Sequence, residues 1–60
     1  MALTAEQHTA INWLERQRIV DILEINAGIA CYDNERTDEL REALRVNIED
    51  GTVDVTVLEL

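Results

Sequence analysis

Apolar residues along this chain recur at three- and four-residue spacing in three places and alternate with polar residues in a fourth. The first stretch opens at "LTAEQ", where Thr4 stands three residues before Gln7, the capping-box spacing that satisfies two otherwise orphan backbone donors. Ile11 and Leu14 share a face beyond it, and the polar run "ERQR" from Glu15 to Arg18 then interrupts every apolar stripe. The pattern predicts a first helix over 4–15 and a second over 17–27, or one long helix with a polar waist. In the second helix Ile19, Ile22 and Leu23 repeat at helical spacing, and Gly28 supplies a stop residue that tolerates left-handed φ. Residues 29–36, "IACYDNER", carry no helical period and predict an extended loop. Thr37 then caps a third helix over 37–49, with Asp38 and Glu39 in its first turn to complement the helix macrodipole. Leu40, Ala43 and Leu44 form its apolar face, while Asp38 with Arg41 and Glu42 with Arg45 stand at ion-pair spacing on the outside.

The stretch "LRVNIEDGTVDVTV", Leu44 to Val57, has two readings. As a helix it continues the Leu40 and Leu44 face through Asn47 and Ile48 and stops at Gly51. As a β-hairpin it turns at Asp50-Gly51 and pairs Ile48 with Val53, Val46 with Val55 and Leu44 with Val57, so that six apolar residues share one face. Asn47 opposite Asp54 and Arg45 opposite Thr56 then fill the solvent face. The fold class expected is mainly α, a small helical domain with a helix-extended loop-helix core and a C-terminal β-strand or tail over 52–60. The alternative is α+β with the 44–57 hairpin.

Sixty residues make one small domain over 1–60, with no proline, no serine, no linker and no internal repeat. A chain this short buries only about 60% of the surface it exposes unfolded, so a partner or a second copy would add to a narrow stability margin. Trp13 and Tyr32 are its only aromatics, which makes the core aliphatic. No run of about 18 apolar residues is present, so no membrane span is expected. Residues 1–14 lack the basic and apolar regions of a secretion signal, which points to the cytoplasm or to an assembled particle.

Thirteen acidic residues stand against five basic ones, all arginine, for a net charge of -8. Nucleic acid is disfavoured as a partner, because phosphate neutralisation drives that binding. The acidic surface serves solubility or, in a second reading, mimics the charge pattern of DNA. Arginine holds carboxylates in a two-pronged grip, so the five are expected to be anchored in pairs or at an interface.

The segment from Arg18 to Ile48 resembles the helix-extended loop-helix group that includes the SAP and LEM-like motifs. The parts that carry the resemblance are Ile19, Ile22 and Leu23, then the exit Ala27-Gly28-Ile29, then Tyr32 in the loop, then Thr37, Leu40, Ala43 and Leu44. The resemblance implies a helical scaffold like that of small adaptor modules in bacteriophage proteins. SAP-type members bind DNA through basic residues around the second helix. Here Arg36, Arg41 and Arg45 are diluted by Asp38, Glu39, Glu42 and Glu49, so that property is not expected to carry over.

Candidate chemistry is sparse. His8 is the only histidine and Cys31 the only cysteine, there is no serine nucleophile, and no third residue is placed to orient a His8–Cys31 pair. Asp33, Glu35, Asp38 and Glu39 cluster without the ligand spacing or mid-loop glycine of an EF-hand. No Gly-rich phosphate loop is present. The expectation is a non-enzyme with no catalytic, cofactor or metal site, acting through a protein partner or as a homo-oligomer. Its interface residues are expected to be Trp13, which lies off the Ile11 and Leu14 stripe, Tyr32, and Val53, Val55, Val57, Leu58 and Leu60 on a strand offered to another chain.

Overall fold

The computed structural model describes residues 2–60, which form three α-helices and a C-terminal 3-10 turn: α1 (Ala5–Trp13), α2 (Arg16–Asn26), α3 (Thr37–Glu49) and the turn Val55–Leu58. The capping box at α1 is formed, with Thr4 Oγ1 accepting from the Gln7 amide at 3.1 Å and Gln7 Oε1 accepting from the Thr4 amide at 2.8 Å. Leu14 and Glu15 are both extended and separate α1 from α2, so two helices form rather than one with a polar waist. The break frees the Leu14 carbonyl from helical bonding, and Arg41 of α3 donates to it at 3.1 Å.

Past the C-cap Ala27 of α2, Gly28 takes φ 68° and lets the chain reverse so that the Ile29 amide returns to the Leu23 carbonyl at 3.0 Å. A side chain resists that conformation and glycine does not, which is why the stop signal was readable. The loop that follows leads into α3, which has the expected bounds. Its capping differs from expectation. Arg36 occupies the N-cap position with no side-chain cap bond, and the Thr37 hydroxyl instead accepts from Arg16 at 3.2 Å. Of the two expected surface ion pairs, Glu42 with Arg45 forms at 3.3 Å, whereas Asp38 pairs with Arg36 at 3.1 Å because Arg41 is turned inward.

α3 packs against both α1 and α2, and the 3-10 turn packs against α1. Ile11, Ile19, Ile22, Leu23, Leu40, Leu44 and Ile48 form the aliphatic centre, closed at the C-terminal side by Val53 and Leu58. Leu14, Val20, Ala27, Cys31 and Ala43 pack at its edge.

The C-terminal segment corrects both β expectations: among the described residues there is neither a strand over 52–60 nor a hairpin over 44–57. α3 continues through Arg45, Val46 and Asn47, and Gly51 takes φ 86° as its stop residue. Beyond it, Asp50 accepts from the Thr52 amide at 2.8 Å and Asp54 from the Thr56 amide at 2.9 Å, two local turns that compete with extended structure. Burial decides the rest. Val53 and Leu58 are five residues apart, so a strand would turn them to opposite faces. The 3-10 turn instead brings both inward, and it satisfies part of the backbone locally through Val57 to Asp54 at 3.1 Å and Glu59 to Thr56 at 3.0 Å.

Candidate interaction surface

The residues expected at an interface separate into two groups. Val53 and Leu58 are buried in the chain's own core, and Val55 and Val57 are half-buried against it. Trp13, Tyr32 and Leu60 face solvent, with Trp13 83% exposed at the C-terminal end of α1. Trp13 lies on the polar side of its helix, across from Ile11, so the core takes up little of its ring. Such exposure of the largest apolar side chain leaves its surface for another molecule to cover.

Ile25 and Val46 are exposed large hydrophobics; the spacing left Ile25 unassigned and placed Val46 on an apolar face only in the hairpin reading. A signal for both was present. Ile25 follows Arg18 by seven residues and Asp21 by four, and Val46 follows Glu39 and Glu42 by the same intervals, so each sits on a charged stripe. On each helix, then, one large apolar side chain projects from the polar outer face.

The loop between α2 and α3 is braced by side chains. Glu35 Oε1 accepts from the Tyr32 amide at 2.7 Å, and Glu24 Oε2 accepts from the Cys31 amide at 3.4 Å. Arg16 reaches across from the start of α2, donating to the Tyr32 carbonyl at 3.2 Å and to the Thr37 hydroxyl. Tyr32 therefore projects from a tethered backbone. The Cys31 thiol is raised above its ordinary pKa by burial first and by the charges of Glu24 and Glu35 second, which keeps it protonated at neutral pH and a poor nucleophile. His8 is exposed on α1.

Arginine anchoring takes an unexpected form. Arg16 and Arg41 donate to backbone carbonyls of other elements, and Arg45 donates to the Asn12 side-chain oxygen of α1 as well as to Glu42. Three of the five cations thus bind neutral oxygens that stitch α1, α2 and α3 together. Arg36 and Arg18 make surface pairs with Asp38 and Glu59. With the basic groups so committed, the outward charge is dominated by carboxylates.

In the acidic stretch 33–39, Glu35 is engaged by the Tyr32 amide and Asp38 by Arg36. Among the described residues no group of three or more His, Cys, Asp or Glu side chains is placed to hold a metal ion. An open groove of about 250 Å³ lies beside Ile48, Gly51, Val53, Asp54 and Val55, where the chain leaves α3. No helix among the described residues is long and apolar enough to cross a membrane. No known family model, curated protein or solved structure matches the chain.

Proposed function

We propose that this chain is a non-enzymatic protein-interaction module, a small adaptor or structural component that docks on a larger assembly, of the kind found in bacteriophage particles. The exposure of Trp13 carries the reading. The aliphatic core closes without it, and tryptophan is the residue most enriched among side chains that dominate binding energy at protein interfaces. Tyr32 on its tethered loop adds a second aromatic contact of the same kind. The decisive experiment is capture of partners from the native lysate by the tagged chain and by Trp13→Ala, with low-salt and high-salt washes. Assembly proteins that survive high salt with the parent chain and are lost with Trp13→Ala support the module. Identical recovery by the two chains overturns the role of Trp13.

The inward commitment of Arg16, Arg41 and Arg45 favours a second reading, an acidic inhibitor that occupies the nucleic-acid site of a host or defence enzyme. Its partner would dissociate steeply with added salt and be displaced by DNA. A partner indifferent to both removes this reading.

A further inference from the structure

The C-terminal segment is attached to the body differently from the helices. Most of its hydrogen bonds are its own: Thr56 to Asp54, Val57 to Asp54 and Glu59 to Thr56. Three polar contacts reach back across the hinge, the Thr52 amide to the Asp50 carboxylate at 2.8 Å, the Val53 amide to the Asn47 carbonyl at 3.0 Å and an exposed Arg18–Glu59 pair at 3.9 Å, and the first two lie beside the hinge itself. What seats the segment is insertion of Val53 and Leu58 into the core. An open surface groove runs beside Val53 and Gly51 at the junction with α3. The reversal itself depends on Gly51, where a Cβ would meet nothing within 4 Å but the φ of 86° is one that L side chains avoid.

We propose that residues 52–60 exchange between two copies of this chain, the hinge at Gly51–Thr52 opening so that each segment seats its Val53 and Leu58 in the other copy's core. The occupant follows from the interface already formed: each contact the segment makes with its own body is available to the same segment of a second copy. A charge of -8 on each copy opposes the approach, so exchange is favoured by high protein concentration and screening salt. The inference is independent of the docking partner proposed above.

The test is Gly51→Ala in the full chain. The closed hinge forces alanine into left-handed φ, whereas the open hinge is free to become extended, so the substitution favours the exchanged dimer. A left-handed penalty of about 1 kcal/mol relieved at two hinges raises the dimer association constant about 25-fold. Light scattering after size exclusion, in about 0.5 M salt, reads that constant. Isotope-filtered NOEs in a mixed sample of labelled and unlabelled chains read whether Leu58 methyls of one copy touch core isoleucines of the other. The expected result is the increase together with intermolecular Leu58 contacts. An unchanged association constant, or a dimer lacking those contacts, overturns the proposal. If Gly51→Ala does not fold, the parent chain at about 1 mM in the same salt is read by the same NOEs, and a monomer there overturns it equally.

Discussion

Replacing Leu58 by alanine separates a C-terminus that closes the core from one that is offered outward. Leu58 is 7% exposed and belongs to the aliphatic cluster, so truncation removes most of a buried side chain and leaves space beneath the 3-10 turn. Leucine-to-alanine changes in cores cost about 2–5 kcal/mol, and a position at the end of the chain, free to relax, belongs near the lower end. Native domains hold about 0.05–0.15 kcal/mol per residue, so this one has about 3–9 kcal/mol in total. A loss of about 2–3 kcal/mol is therefore a large share, and at about 4–8 °C per kcal/mol it lowers Tm by about 10–20 °C. Leu60, two residues on and 68% exposed, is the internal control: its alanine variant shifts stability by no more than about 0.5 kcal/mol. Thermal and urea unfolding followed by far-UV circular dichroism measure both. A Leu58→Ala variant as stable as Leu60→Ala would refute inward packing of the segment and restore the view that it waits for another chain.

Four further outcomes follow from the same contacts. Thr4→Ala removes the acceptor of the Gln7 amide and breaks the capping box, costing about 1 kcal/mol in urea unfolding, while Thr9→Ala, which loses only an exposed hydroxyl bond to Ala5, costs less. Arg16→Lys keeps the charge but loses the fork that spans the Thr37 hydroxyl and the Tyr32 carbonyl, so hydrogen exchange at the loop amides 31–35 accelerates even if global stability changes little. Trp13→Ala leaves Tm within a few degrees of the parent, because the ring is outside the core, so any loss of partner capture is a surface effect; a large fall in Tm would show that the ring supports the fold. Asp50 and Asp54 titrate below the ordinary carboxylate range, Asp50 chiefly through the Thr52 hydroxyl and Asp54 chiefly through the Thr56 amide. A depressed folded pKa gives stability that is present above the unfolded value and lost as pH falls through the folded one. Stability should therefore decline below about pH 4, and Asp54→Ala should flatten that decline relative to the parent when Tm is followed from neutral to acid pH.

α3 was legible as far as Leu44, where acidic residues in the first turn and the Leu40, Ala43 and Leu44 face agree, and agreement across levels is what makes a local pattern trustworthy. Beyond Leu44 the signals conflicted, because Asp50-Gly51 suits a helix stop and a hairpin turn alike, and the Thr37 cap that the pattern suggested is not the one the chain uses. The α1–α2 break was legible only as a polar interruption, since the feature that stabilises it, Arg41 bonded to the Leu14 carbonyl, lies 27 residues away in sequence. A backbone carbonyl is an acceptor at every residue, so such a bond leaves no pattern in the amino-acid types. For the same reason charge pairing suggested carboxylate partners for arginines that bind carbonyl and amide oxygens instead. Trp13 was identifiable as lying off the apolar stripe, whereas Ile25 and Val46 needed the charged residues around them to be counted against them.

The hairpin pattern over 44–57 was complete, yet it described only the residues it paired. It put Leu44, Val46, Ile48, Val53, Val55 and Val57 on one face and left Leu58 without a place in the interior. The folded chain keeps Leu44, Ile48 and Val53 inside as the hairpin would, but it adds Leu58 to the interior and leaves Val46 50% exposed. Releasing Val46 to solvent forfeits part of one side chain's burial, whereas unwinding residues 44–49 into a hairpin would take Leu44 and Ile48 off the face they share with Leu40 and remove the Arg45 brace to Asn12. Full burial of one Val-sized side chain is worth about 1.5–3 kcal/mol, so the hairpin's gain at Val46 and at the half-buried valines is smaller than the displacement of two fully buried core residues and one cross-link. Alternating valines in this segment therefore specify a strand only in isolation, and the body to which they are attached overrides them.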